Sequence, residues 1–225
     1  MNQEIVGSII SKANKKPVPM PISSTQILQK IKYNDALEPH QKTALYLTYL
    51  TGARATEAIS IKASDFQTQD NQIIVLVKTQ KKRRGEPYRY LPLRSSNHAE
   101  QEMLVNITRH TNTLIAAEQD NTALIPYCRS TLWNWARRVD ITTKAINQRA
   151  RKIIDDYPFK MYPHYLRHCR ASHLVNNYGF DAFALQQYMG WSDIEMAKIY
   201  VSLDWKRGSK LLMELSQPPY SSTQQ

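Results

Sequence analysis

Residues 161–204 read MYPHYLRHCRASHLVNNYGFDAFALQQYMGWSDIEMAKIYVSLD, and their pattern decides how the rest of the chain is read. His164, Arg167 and His168 stand three and four apart, so helical spacing puts them on one face. That face carries a guanidinium and two imidazoles and no carboxylate. An anion such as a phosphate is its natural guest. Gly190-Trp191-Ser192 marks a turn, and Tyr200 follows in Lys198-Ile199-Tyr200. A phenol brought to a clamped phosphate suits covalent phosphoryl transfer. Taken alone, His-x-x-Arg-His is more often a solvated helix face, and Tyr200 is one of 13 tyrosines. The reading therefore depends on matching residues elsewhere.

Working outward, the stretch itself divides into helices near 163–177, 181–189 and 193–201, and a further helix is expected over 207–215 before a polar tail. Upstream, Thr142 to Ile154 reads as a basic amphipathic helix with Lys144, Arg149, Arg151 and Lys152, ended by Asp155-Asp156. A DNA-facing role and a plain solvated face fit it equally. Helices are also expected over 132–139 and 100–116. A β region precedes them: a short strand at 63–67, then QIIVLVK (72–78) and YRYLPL (88–93), joined by the basic tip TQKKRRGEP (79–87). Lys78 sits where strand meets loop. Lys81, Lys82, Arg83 and Arg84 form a tip suited to a phosphate backbone. Before it, Thr51-Gly52 ends a helix begun at Pro39, and Arg54 opens another with Glu57 one turn on. Ser23 or Ser24 caps a helix reaching Lys32. Pro17, Pro19 and Pro21 make an extended connector after a lead-in.

The expected class is therefore mainly α with a small antiparallel β-sheet. The expected layout is a lead and linker over 1–23, one catalytic domain over 24–216 and a flexible tail over 217–225. The chain's 225 residues suit a single domain of moderate size. A formal charge of +11 favours a polyanionic partner, nucleic acid before membrane. No apolar run approaches the roughly 20 residues of a membrane span, and the first residues lack a signal pattern, so a cytoplasmic protein is expected. Cys128 and Cys169 make neither a disulfide framework nor a zinc site and read as reduced, structural cysteines. No Gly-rich nucleotide loop occurs.

Placed together, Thr51-Gly52-Ala53-Arg54-x-x-Glu57, Lys78, His164-Tyr165-Leu166-Arg167-His168, Met189-Gly190-Trp191-Ser192 and Ile199-Tyr200 resemble, in order, the boxes of the tyrosine recombinases of the phage integrase family. The resemblance covers roughly residues 24–205. It implies that Arg54 and Arg167 clamp the scissile phosphate. Tyr200 attacks phosphorus to leave a 3′-phosphotyrosyl link, and Lys78 protonates the leaving oxygen. His164 assists proton transfer at the nucleophile, Trp191 donates its indole N–H to a phosphate oxygen, and Glu57 and His168 support them. Trp191 stands where histidine is more usual. The resemblance also implies double-stranded DNA as partner and a homo-tetramer on two DNA sites, with residues 206–216 docking on a neighbour. Family members usually carry a separate DNA-clamping domain before the catalytic one, and here about 23 residues precede the match.

The residue chemistry agrees. Fixed guanidiniums can neutralise charge developing at phosphorus without a metal, and a covalent link conserves the energy of the broken bond without ATP. No cofactor is expected. A free tyrosine ionises near ~10, and nearby cations are expected to favour its phenolate. Two other functions use the same residues: DNA relaxation of the type IB topoisomerase kind, and a non-catalytic DNA-binding regulator. A metallohydrolase built on His164, His168 and His173 lacks the glutamate of His-Glu-x-x-His.

Overall fold

The computed structural model describes residues 17–69, 72–79, 88–147 and 152–201. Helix α1 (Ser24–Lys32) starts where Ser23 accepts the Gln26 N–H and Gln26 returns the contact, closing a capping box. Helix α2 (Pro39–Thr51) follows, with Pro39 at its start, where no N–H is required. From Ala44 to Thr51 every α2 residue is buried, which makes α2 the central helix. It ends at Gly52 in the left-handed conformation, φ +56°. Helix α3 (Ala55–Ala58) is a single turn, and a 3-10 turn (Ala63–Asp65) leads into β2 (Phe66–Gln69). Strands β3 (Gln72–Lys78) and β4 (Tyr88–Leu93) complete an antiparallel sheet in the order β2-β3-β4.

Next come α4 (His98–Ala116) and α5 (Arg129–Ala136). Helices α6 (Pro163–Tyr178), α7 (Ala182–Met189) and α8 (Glu195–Lys198) then carry the C-terminal boxes. Helix α2 packs on α4 and α6, so the site-bearing helix lies against the centre of the core. One buried polar network fixes that packing. Arg170 of α6 donates to Glu100 of α4 at 3.2 Å, and Tyr49 of α2 donates to the same carboxylate at 3.0 Å. Tyr178 reaches its other oxygen at 2.6 Å. His173 bonds Tyr49 and the carbonyl of Ile22. A buried ion pair of this kind holds α6 in one register because any slip would leave a charge unpaired.

The fold is mainly α, as expected, but it carries a second sheet. The helix expected over 142–154 is instead two strands, β5 (Asp140–Asn147) and β6 (Lys152–Lys160), paired antiparallel. Ile141, Thr142, Thr143, Ile146, Ile153, Tyr157 and Phe159 are β-branched or aromatic and favour a pleated surface. Ile141 and Ala145 are buried while Thr142 and Lys144 are exposed, so the apolar rhythm is two rather than 3.6. Asp155 and Asp156 sit within β6, and Lys144 pairs with Asp155 across the ladder at 3.2 Å. The proline connector supplies β1 (Val18–Pro19), which pairs with Ile146 and Ala145 of β5. Cys169 is buried, whereas Cys128 is exposed ahead of α5. Among the described residues no helix is long and apolar enough to cross a membrane. The N-terminal lead-in, the basic tip 80–87, residues 148–151 and the expected helix over 207–215 lie outside the described residues.

Candidate active site

The site is built on Glu57, which is 1% exposed and meets three arginines from three elements. Arg54 opens α3. Its backbone N–H donates to Glu57 Oε2 at 3.0 Å and its Nη1 to Oε1 at 2.8 Å. Arg89 of β4 donates through Nη2 to Oε2 at 3.0 Å and through Nη1 to Thr79 Oγ1 at 3.0 Å. Arg167 of α6 brings Nη1 within 3.9 Å of the same carboxylate. It also donates to the carbonyls of Gly52 and Met189, which ties the turn after α2 to the end of α7. Burial alone would raise the Glu57 pKa, but the Arg89 charge and the Arg54 N–H outweigh it and hold it below the usual carboxylate value. Burial first, then the Arg54 charge, holds the Arg167 guanidinium below its ordinary value. Among the described residues, three cations share one carboxylate, a local excess of two positive charges. Arg54, 31% exposed, opens this excess to solvent.

Tyr200 follows the single turn of α8, its N–H bonded to the carbonyl of Ala197. Its ring stacks on Trp191 at 5.5 Å and 15°, and the Arg167 guanidinium lies 5.5 Å from the Trp191 ring. Tyr200 Oη and His168 Nδ1 share a hydrogen bond of 2.8 Å. Burial pushes the Tyr200 phenol up to about 12, and Arg167 only partly opposes it. This reverses the expected phenolate: the cations are present, but desolvation of the hydroxyl is the larger effect. Burial, then the neighbouring His164, lowers His168 to about 4. His164 is lowered by desolvation first and then by the Arg167 and Arg54 charges. Both imidazoles are therefore neutral at pH 7.

Arg54, Glu57, Arg167, His168, Trp191 and Tyr200 thus form one cluster, and His164 lies at its solvent-facing side within the field of both arginines. Lys78 is exposed at the end of β3, next to the Thr79 that holds Arg89. Lys144 lies on the second sheet and not on a DNA-facing helix. Lys81, Lys82, Arg83, Arg84, Arg149 and Arg151 lie outside the described residues. Arg89 is the residue missed in the sequence. A signal was there: it occupies the buried phase of β4 together with Leu91 and Leu93. Among the described residues no three His, Cys, Asp or Glu side chains group as metal ligands.

The family model for the phage integrase family matches residues 23–207. The chain belongs to the phage integrase family. It is 25% identical over 202 residues to tyrosine recombinase XerD of Haemophilus ducreyi, covering 85% of this chain and 61% of that protein. It is 27% identical over 184 residues to tyrosine recombinase XerC of Pseudomonas fluorescens, covering 80% and 54%. The chain thus spans less than two thirds of either relative. In structure it is similar to XerA recombinase, with TM-score 0.57, 20% identity and coverage of 92% and 68%. It is also similar to XerH site-specific recombinase in a pre-cleavage complex with its difH substrate, with TM-score 0.56, 18% identity and coverage of 90% and 56%. These likenesses show the fold.

This integrase-family chain carries a second basic surface on α5. Arg129 and Trp133 of α5 and Arg137 just after it recur every four residues and, with Ser130 and Asn134, line a cleft of about 300 Å³. Trp133 stacks on Tyr162 at 5.9 Å and 10°. Tyr162 immediately precedes α6, the helix of His164 and Arg167, so the cleft lies against the start of the site-bearing helix.

Proposed function

We propose that the chain is the catalytic unit of a site-specific DNA recombinase that cleaves and rejoins DNA through Tyr200. One observation carries the reading: Arg54, Arg89 and Arg167 converge on the single carboxylate of Glu57, next to a tyrosine that stacks on Trp191 and hydrogen-bonds His168. Such a pocket favours a phosphodiester, and still more the extra charge that builds on its equatorial oxygens during displacement. Arg54 and Arg167 clamp those oxygens, and Arg89 and Glu57 hold the clamp in shape. Trp191 contributes its indole N–H and the stacking surface.

Tyr200 Oη bonds to phosphorus as the P–O5′ bond breaks, leaving a 3′-phosphotyrosyl link and a free 5′-hydroxyl. His164 assists the proton transfer at the nucleophile, and Lys78 supplies the proton to O5′. The 5′-hydroxyl of another strand reverses the step, so rejoining draws on the phosphotyrosyl bond and needs no nucleotide. The α5 cleft and the basic tip Lys81–Arg84 follow the phosphate backbone, with an affinity that falls steeply with salt. Exchange between two sites calls for several copies on DNA, a tetramer in this reading.

The test uses a duplex nicked beside the scissile position, in EDTA. Wild-type protein should accumulate a covalent protein–DNA adduct, and Tyr200→Phe should form none while binding the duplex within a few-fold of wild type. An adduct persisting in Tyr200→Phe would refute the reading. Supplying one site or two then separates relaxation from recombination.

A further inference from the structure

The contact between Tyr200 and His168 has a direction, and that direction bears on catalysis. Among the described residues, the hydrogen bond recorded for Tyr200 Oη is the 2.8 Å contact to His168 Nδ1. A phenol has one proton to give and lone pairs to receive with. A part-buried hydroxyl is best satisfied when its proton has a fixed acceptor. The ring is fixed in plane by Trp191, 5.5 Å away and nearly parallel, but stacking does not fix the hydroxyl. Tyr200 itself follows a one-turn helix, and its neighbour Ile199 is 73% exposed. His168, by contrast, is on the 16-residue helix α6, directly after Arg167 and one turn beyond His164. That helix is anchored in the core by the Arg170–Glu100 pair.

Resting on the function proposed above, we infer that His168 is the positioning residue of the nucleophile: its unprotonated Nδ1 accepts the Tyr200 hydroxyl hydrogen and leaves the Oη lone pairs free to face phosphorus. The opposite tautomer would donate Nδ1–H into one of those lone pairs and turn the hydroxyl proton outward, toward the phosphate. The acidities fit the first arrangement. A phenol near 12 and an imidazole near 4 keep both groups neutral at pH 7, so His168 orients Tyr200 rather than ionising it before attack. The two histidines then divide the work. His168 holds the hydroxyl until attack, and His164, on the solvent-facing side near Arg54 and Arg167, assists the departure of the phenol proton as the O–P bond forms.

Two measurements test this. The first needs no DNA. In 15N NMR of the full chain at pH 7, His168 should show an unprotonated Nδ1 and a protonated Nε2, and the Nδ1 signal should shift in Tyr200→Phe. A protonated Nδ1, or a signal indifferent to Tyr200→Phe, overturns the inference. The second compares adduct formation on the nicked duplex. Asn can place an acceptor near the Nδ1 position and Gln near Nε2, so His168→Asn should stay within about tenfold of wild type while His168→Gln and His168→Phe fall at least about tenfold further, with DNA binding unchanged. Equal loss in all three variants, or no loss in any, overturns it. Absence of adduct with the wild-type protein would sink the proposed function instead, and the NMR result would still decide whether His168 holds Tyr200.

Discussion

Glu57 is the residue on which the cluster balances. It is buried, it accepts from Arg54 and Arg89, and it stands within 3.9 Å of Arg167. Removing its charge leaves three guanidiniums facing one another, which costs on the order of 3 kcal/mol when a buried pair loses one partner. Glu57→Gln should therefore lower the urea-unfolding free energy by about that much and slow adduct formation, and a change under about 0.5 kcal/mol would show that the carboxylate is not the hub. The sequence pointed to Arg54, Glu57, Arg167, Trp191 and Tyr200 because their order matches the family's boxes. It did not point to Arg89, because a charged residue in a strand reads as solvent-facing until its phase with Leu91 and Leu93 is counted. The acidity of Tyr200 was misjudged for a related reason: charges can be counted along a chain, but burial is a property of the packed molecule.

Two glycine turns bring the elements of the site together. Gly52 and Gly190 end α2 and α7 in the left-handed region, and Arg167 bonds the carbonyl of Gly52 and that of Met189 beside Gly190. A Cβ at Gly190 would lie 2.6 Å from Arg89 Nη1. Gly190→Ala combines a left-handed penalty of about 1–2 kcal/mol with displacement of an arginine that holds Glu57. Its melting temperature should fall and its adduct rate with it; an alanine variant that melts and reacts like wild type would contradict the close approach. These turns, like the caps at Ser23 and Pro39, were legible because they rest on local chemistry. The β5–β6 hairpin was not. Four basic side chains in 144–152 mimic a helical face, and the alternation that marks strands is interrupted by a register shift between Thr143 and Ala145. Its pairing with Val18–Pro19 depends on residues more than a hundred positions apart, which no local window contains.

At the scale of the molecule, buried titratable groups tie stability to pH. His168 and His173 are buried or half-buried and held below 6.5, chiefly by desolvation. In Glu57 and Glu100 burial is outweighed by arginine charges and hydrogen bonds, which hold them below 4.5. All four pKa values are depressed by folding, so between folded and unfolded values the unfolded chain binds more protons. The stability they contribute is complete above 6.5 and is lost as pH falls, first through the histidines and then, below 4.5, through the carboxylates. The urea midpoint should hold steady from pH 8 to 7, decline below about 6.5 and drop more steeply below about 4.5. A midpoint that rises on acidification would contradict this assignment. The net charge of +11 acts on association rather than on the fold and, in the function proposed, supplies the attraction to DNA.

The most direct measurement of the central claim is the site of covalent attachment. Adduct formed on a nicked duplex would be digested with nuclease and trypsin and the nucleotide-bearing peptide sequenced by mass spectrometry. The account predicts a nucleotide joined through its 3′-phosphate to Tyr200, in the peptide IYVSLDWK spanning residues 199–206. A nucleotide on any other side chain, or one joined through a 5′-phosphate, would contradict it.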